Sequence, residues 1–161
     1  MDKQNVIVGS GPSVARVDEV DRVRIWRLVW GFGVLFVLAG AVDLGAAIGP
    51  LDFSNRALRF TTAAGLMAGW PILALGSVGA LLGAAGLGNR RLVTLASVLH
   101  AVLAVTLVVA FLVLALDRGA AMTVAGPATA TVTIGFFRAL LSGVCFLIVH
   151  VLAVRAGVRH G

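Results

Sequence analysis

The stretch from Leu92 to Leu116, LVTLASVLHAVLAVTLVVAFLVLAL, contains no Asp, Glu, Lys or Arg. As a helix, its residues (about 25) would rise by roughly 37 Å, more than the hydrocarbon thickness of about 30 Å. A bilayer offers the backbone no hydrogen bonds, so such a run must satisfy its amides internally, as an α-helix does. Arg90 and Arg91 precede the run and Asp117 follows it. The run therefore predicts a transmembrane helix with charges at both ends.

Comparable apolar runs occur along the rest of the chain, which is 60% hydrophobic and only 12% charged. Soluble domains are about a quarter charged. We therefore predict an all-α, polytopic membrane protein whose transmembrane helices form a four-helix antiparallel bundle in one domain, residues 25–155. The predicted spans cover about 25–48, 61–87, 92–116 and 132–154. Residues 120–131 would form a loop, residues 1–24 a polar and partly disordered cytoplasmic tail, and residues 156–161 a short basic tail.

The second predicted span leaves two alternatives open, because Trp70-Pro71 interrupts it. A kinked helix through Pro71 is the favoured alternative, since membrane helices tolerate proline. In the other, residues 55–70 lie at the membrane interface and Pro71 opens a shorter span.

Arginines near the ends of the spans predict the orientation, because basic residues concentrate on the cytoplasmic side. One side carries the larger set: Arg22, Arg24, Arg27, Arg90, Arg91, Arg155 and Arg159. The other side carries Arg56, Arg59 and Arg118. We expect a multi-pass inner-membrane protein with both termini cytoplasmic. The lipid bilayer is its first partner; nucleic acid is not expected as a partner, since the arginines end apolar runs rather than forming one basic face.

Two charges fall within the predicted spans. Asp43 would lie about 7 Å from the outer end of the first span, and Arg138 about 9 Å into the fourth span from the same side. A charge in a bilayer is costly unless it is paired. We therefore predict a structural ion pair between Asp43 and Arg138. The alternatives are a substrate or proton site, and snorkelling without pairing.

Two histidines lie in the third and fourth predicted spans, which raises the possibility of a haem with two axial ligands. His100 would lie about 13 Å in from Arg91, but His150 only about 7 Å in from Arg155. Axial ligands should lie at similar depth, so we favour histidines that pack through hydrogen bonds and expect neither a cofactor nor a metal.

Small residues at four-residue spacing predict close helix packing in the second span, at Gly65 and Gly69 and at Gly79 and Gly83. In the outer loop, Asp52, Arg56 and Arg59 are a candidate contact for an anionic headgroup or partner; the alternative is a solvated loop.

The chain lacks a phosphate-binding glycine loop, zinc-ligand spacing and a Ser-His-Asp set on polar elements. Its one glutamate, Glu19, lies in the polar tail. We therefore expect no enzymatic activity and no catalytic residues.

Two resemblances follow from particular segments. RLVWGFGVLFVLAG at 27–40 resembles the first helix of DoxX-like four-helix membrane proteins. Asp43-Leu44, with PLDFSN at 50–55, RF at 59–60 and PILALG at 71–76, resembles the first half of HpsJ-like bacterial membrane proteins, which are linked with polysaccharide secretion. Both resemblances imply a bacterial inner-membrane protein, and neither implies a catalytic residue.

The sequence thus favours a non-enzymatic accessory or scaffold subunit of a bacterial inner-membrane assembly, in contact with other membrane proteins or with itself. A small oligomeric transporter or channel that uses Asp43 and Arg138 is the first alternative. A haem or redox membrane subunit that uses His100 and His150 is the second.

Overall fold

The computed structural model describes residues 14–48 and 54–160, and every regular element in them is helical. The long helices are α1 (Val14–Ile48), α2 (Arg56–Gly86), α3 (Arg90–Ala125) and α4 (Thr129–His160), with a 3₁₀ turn at Gly126–Ala128. The all-α prediction is therefore confirmed for this part of the chain. Residues 1–13 of the predicted polar tail lie outside the described residues, as do residues 49–53 and residue 161.

The starts of α2 and α3 are capped in the same way. The Asn55 side chain accepts a hydrogen bond from the Leu58 amide at 3.1 Å, and the Asn89 side chain accepts one from the Leu92 amide at 3.2 Å. Each cap satisfies an amide that has no partner inside its helix. Gly88, with φ of +63°, reverses the chain between α2 and α3 because glycine adopts this conformation without a steric penalty.

Proline does not divide the second helix. α2 runs without interruption from Arg56 through Pro71 to Gly86, which agrees with the single-helix alternative. Residues 56–70 therefore form the first half of α2 rather than a separate segment at the interface. The cost of Pro71 is local, since it removes one amide donor from the helix interior.

The predicted loop at residues 120–131 is wrong. α3 continues past Asp117 to Ala125, and α4 already begins at Thr129. The alanines after Asp117 are strong helix formers, so the small residues extend the helix. The break comes only at Gly126, which has φ of +50°, and at the following Pro127.

The packing differs from a closed four-helix bundle. α2 packs against α1, α3 and α4, and α3 packs against α4, whereas α1 packs against α2 alone among the described helices. Consecutive helices run antiparallel: Gly33 and Gly40 of α1 approach Ala80 and Leu73 of α2 respectively. The fold is thus a three-helix core of α2, α3 and α4, with α1 packed on α2 and on neither of the other two helices.

Glycines bring α1 and α2 into close contact. A Cβ added to Gly76 would lie 2.6 Å from the backbone nitrogen of Val37, and one added to Gly83 would lie 2.5 Å from the backbone nitrogen of Trp30. Gly79 lies against Gly33. Gly65 and Gly69 behave differently, because nothing lies within 4 Å of a Cβ at either position. Of the four glycines in the sequence prediction, the structure therefore brings Gly79 and Gly83 against a neighbouring helix and leaves Gly65 and Gly69 open.

Large apolar side chains both fill the core and cover the outside. Met67, Trp70, Leu107 and Leu114 are fully buried between α2, α3 and α4. Exposed Leu, Val, Ile and Phe side chains occur on all four helices; examples are Phe32, Leu75, Leu112 and Phe137. Three helical segments are long and apolar enough to cross a membrane: Glu19–Ala46, Arg56–Gly86 and Arg90–Arg159. The last of these contains α3 and α4, which fold back on each other at Gly126.

Candidate functional site

A chain of polar side chains crosses the apolar core. Trp70 of α2, His150 of α4 and His100 of α3 are all fully buried. The Trp70 Nε1–H donates a hydrogen bond to His150 Nε2 at 2.9 Å, and His150 Nδ1 lies 2.7 Å from His100 Nδ1. His100 Nε2 is also buried, and it has no hydrogen-bond partner among the described residues. The three rings therefore form one continuous polar connection between three helices.

These contacts determine where the protons lie. Because Trp70 can only donate, His150 Nε2 must carry a lone pair, and a neutral His150 then has its proton on Nδ1. That proton points at His100 Nδ1, which must accept it, so the proton of a neutral His100 lies on Nε2. Protonating either acceptor nitrogen would place two N–H groups face to face and break one of the two hydrogen bonds. Both of these hydrogen bonds are therefore present only when both imidazoles are neutral.

The predicted difference in depth between the two histidines is wrong. Arg91 and Arg155 do not mark the same depth, because α4 continues beyond Arg155 to His160. The position of an arginine does not give the stagger between two helices.

Haem ligation does not fit the observed geometry. Two axial histidines must lie on opposite faces of the porphyrin. The ring centroids of His100 and His150 are only 5.0 Å apart, and their Nδ1 atoms are in hydrogen-bond contact. No room is left between them for a porphyrin and its iron.

An ion cluster lies at the end of the core where α2 begins. Arg59 binds Asp117 through two bonds, Nε to Oδ2 at 2.7 Å and Nη2 to Oδ1 at 2.9 Å. Arg56 Nε donates to Asp117 Oδ1 at 3.0 Å, and Arg56 Nη2 donates to the Leu116 carbonyl at 3.3 Å. The Asp117 side chain is only 2% exposed, whereas those of Arg59 and Arg56 are 29% and 60% exposed. One buried carboxylate thus holds two arginines of α2 against α3.

Two aromatic rings contact residues that adjoin this cluster in the sequence. The Arg118 guanidinium lies 4.7 Å from the centre of the Phe136 ring, within cation–π range. Phe136 also stacks on Phe60 of α2, with ring centroids 6.4 Å apart. The sequence predicts Arg56 and Arg59 as contact residues but places Asp117 only at the end of a span, so it does not predict that Asp117 binds both arginines. Asp52 lies outside the described residues.

The predicted ion pair between Asp43 and Arg138 is not formed. The two residues lie on α1 and α4, which do not contact each other, and both side chains are exposed. Their depths also differ. α2 and α4 run parallel, with Phe60 beside Phe136 and Met67 beside Gly143, so Arg138 lies near the beginning of α2. Asp43 lies deeper, beside Gly69 and Trp70.

Asp43 lines a cavity of about 130 Å³ between α1 and α2. Gly40, Gly65, Gly69 and Trp70 are among its other walls. Within the described part of the chain, Asp43 has neither a hydrogen bond nor an ion pair. The cavity therefore holds one unpaired carboxylate among apolar and glycine surfaces.

No protein-family model matches the chain, and no curated protein or solved structure does so either. The resemblances to DoxX-like and HpsJ-like proteins stay predictions.

Proposed function

We propose that this chain is a non-enzymatic accessory or scaffold subunit of a bacterial inner-membrane assembly. The observation that carries the proposal is the one-sided attachment of α1, which packs against α2 alone within the described structure. Its remaining surface presents exposed apolar side chains, among them Phe32 and Leu35. It also presents Asp43, an unpaired charge. A helix that only anchors a protein in lipid has no need of a carboxylate in its apolar face.

The membrane topology belongs to the same proposal. Each of the four helices is long enough to cross a hydrocarbon core of about 30 Å. The alternating directions of the helices would then bring both termini to one side of the membrane. The larger set of arginines lies on that side, which supports cytoplasmic termini.

Site-specific photocrosslinking in native membranes tests this role. A benzophenone amino acid replaces Phe32 on α1 or Phe137 on α4; these phenylalanines are 60% and 58% exposed, so they form a matched pair. We expect the α1 position to crosslink in good yield to another membrane protein, and the α4 position to crosslink much less to that protein. Native mass spectrometry of the extracted complex should then give a fixed ratio of the two chains. Crosslinks to lipid alone, or to a second copy alone, would contradict the proposal.

A small transporter is the second candidate, because an unpaired carboxylate faces a cavity within the apolar region. Here Asp43 alone, without Arg138, would lie on the pathway. Purified protein in vesicles loaded with a pH-sensitive dye should then carry protons, and Asp43→Asn should abolish the flux while the protein stays folded. Flux equal to that of empty vesicles, or unchanged flux in Asp43→Asn, would eliminate this candidate.

A further inference from the structure

We propose that the groove around Asp43 receives a transmembrane helix of the partner protein, and that this helix carries an arginine or lysine at the depth of Asp43. The inference rests on the accessory-subunit role proposed above and adds the chemistry of the partner. The groove is defined here by Gly40 and Asp43 of α1 and by Gly65, Gly69 and Trp70 of α2.

The depth of Asp43 is the first argument. Asp43 faces the cavity beside Trp70, which follows Arg59 in α2 by about three helical turns, or about 16 Å. Arg59 belongs to the outer ion cluster, so Asp43 lies near the middle of a hydrocarbon layer of about 30 Å. Ionisable side chains at such depth normally face the inside of an assembly and pair with another group.

The missing counter-charge is the second argument. Residues 60–86 of α2 contain no Lys or Arg, and α1 has none between Val29 and Ile48. Arg138 is level with the outer part of α2, about 12 Å from the depth of Asp43 along the helix axis. A cation for Asp43 must therefore come from outside the described part of this chain.

The shape of the groove is the third argument. Its volume is about 130 Å³, which leaves room for one side chain that projects from a helix lying across it. Gly65 and Gly69 leave the backbone of α2 bare there, with nothing within 4 Å of an added Cβ. Small residues in a membrane helix let another helix approach closely. The groove therefore offers a bare backbone on which a helix can lie and a charge that selects its partner.

A second copy of this chain fits the groove less well. A related copy in the same orientation would bring its own Arg138 to the outer end of the helices, not to the depth of Asp43. Its third helix has no charge between Leu92 and Leu116. Charge complementarity therefore favours a different protein as the occupant.

Synthetic transmembrane peptides test the charge directly. One peptide has an apolar Leu/Ala sequence with a central Arg and lysines at both ends; its twins have a central Leu or a central Asp. Energy transfer to each labelled peptide is measured from the labelled full chain in vesicles of phosphatidylcholine and phosphatidylglycerol. We expect the Arg peptide to bind about tenfold more tightly than the Leu peptide, and the Asp peptide to bind least.

Variants of the chain locate the binding. Asp43→Asn should remove the preference for the Arg peptide, and Gly69→Leu should weaken binding by filling the groove. Gly31→Leu is the matched control, because Gly31 of α1 also has open space around it but lies outside the groove. Helicity measured by circular dichroism checks that each variant is folded, and the peptide series on the unaltered chain does not depend on any variant.

Several outcomes would overturn the inference: equal binding of the Arg and Leu peptides, a preference that survives Asp43→Asn, or self-association of the chain that Asp43→Asn abolishes. The photocrosslinking experiment separates these failures from a failure of the proposed function. If the native complex forms but the peptide preference is absent, the accessory role stands and the inference fails. If no native complex forms, the proposed function itself fails.

Discussion

The Nδ1 atoms of His100 and His150 lie 2.7 Å apart, and only one of them can carry a proton. Trp70 decides which one, because its N–H occupies the other nitrogen of His150. α2 therefore sets the protonation pattern of a contact between α3 and α4. The two hydrogen bonds therefore connect α2, α4 and α3 within the apolar core, and both form only with this arrangement of protons.

The first prediction concerns the tautomers. At pH 8, where a free imidazole is neutral, we expect His150 to carry its proton on Nδ1 and His100 on Nε2. The ¹⁵N chemical shifts of histidine-labelled protein in detergent report the tautomers. The chain has three histidines, so His→Gln variants assign the signals. A His150 that carries its proton on Nε2 would contradict the hydrogen bond from Trp70.

The second prediction concerns the energy of the Trp70–His150 hydrogen bond. Trp70→Phe removes the N–H donor and leaves a buried acceptor without a partner, so the free energy of unfolding should fall by about 1–3 kcal/mol. Part of that loss comes from packing. A double-mutant cycle with His150→Leu isolates the pairwise contribution, which we expect to be about 1 kcal/mol.

Trp30→Phe is the control for this cycle. The Trp30 indole has no hydrogen bond to a described residue, so its replacement should show no coupling to His150→Leu. Thermal unfolding in one detergent measures all variants. Additive effects of Trp70→Phe and His150→Leu would show that the hydrogen bond adds nothing to stability.

Distances in sequence from the hairpin turns show which of these contacts could be predicted. Arg59 and Asp117 are equally distant in sequence from Gly88, so a tight antiparallel turn at Gly88 makes them level. That signal is present in the sequence, because residues 88–91 separate the second and third predicted spans. His100 and His150 are likewise nearly equidistant from the middle of the predicted loop at 120–131. Distances counted from turns therefore predict these contacts better than distances counted from arginines.

The position of α1 could not be predicted from distances to a turn. Short connections indicate that consecutive helices are neighbours, and they predict the contacts of α1 with α2 and of α3 with α4. They do not decide whether α1 closes a bundle against α4. That choice depends on which faces of α1 and α2 carry the glycines that allow close packing. Because the chain has glycines on several faces, the sequence does not indicate which face is used. The predicted Asp43–Arg138 pair depended on closure, so it failed together with it.

The third prediction uses the two kinds of glycine in α2. Gly76→Ala places a Cβ against the backbone of α1, with Val37 nitrogen at 2.6 Å and Gly33 oxygen at 2.9 Å. Backbone cannot rotate out of the way, so we expect a loss of about 1–3 kcal/mol as α1 and α2 separate. Gly65→Ala adds the same methyl group in open space, where alanine's higher helix propensity should stabilise α2 slightly, by up to about 1 kcal/mol.

Unfolding in detergent compares the two alanine variants, which differ in position but not in chemistry. A disulfide between cysteines introduced on α1 and α2 reports their separation. The sole native cysteine, Cys145, is exposed and is first replaced by Ser. Equal stability of Gly76→Ala and Gly65→Ala would mean that α1 is not held against α2 at Gly76.

The fourth prediction concerns the ion cluster, where two arginines bind one carboxylate in different ways. Arg59 forms two bonds to Asp117, whereas the more exposed Arg56 forms one bond to the carboxylate and one to a backbone carbonyl. Lysine has a single charged nitrogen and cannot reproduce a bidentate contact. Arg59→Lys should therefore lower the melting temperature more than Arg56→Lys, and Asp117→Asn should lower it most, by roughly 5 °C.

The same two lysine variants, made in Asp117→Asn protein, test whether the difference between them depends on the carboxylate. In Asp117→Asn protein, the difference between Arg59→Lys and Arg56→Lys should largely disappear, since the contact that distinguishes them is gone. Salt supplies a second readout. Because Asp117 is buried, raising the ionic strength should change the melting temperature of the unaltered chain little, whereas an exposed pair would be screened. If the two lysine variants were equally stable in the unaltered background, the bidentate geometry would have no energetic role, and Asp117 would hold α2 against α3 through its charge alone.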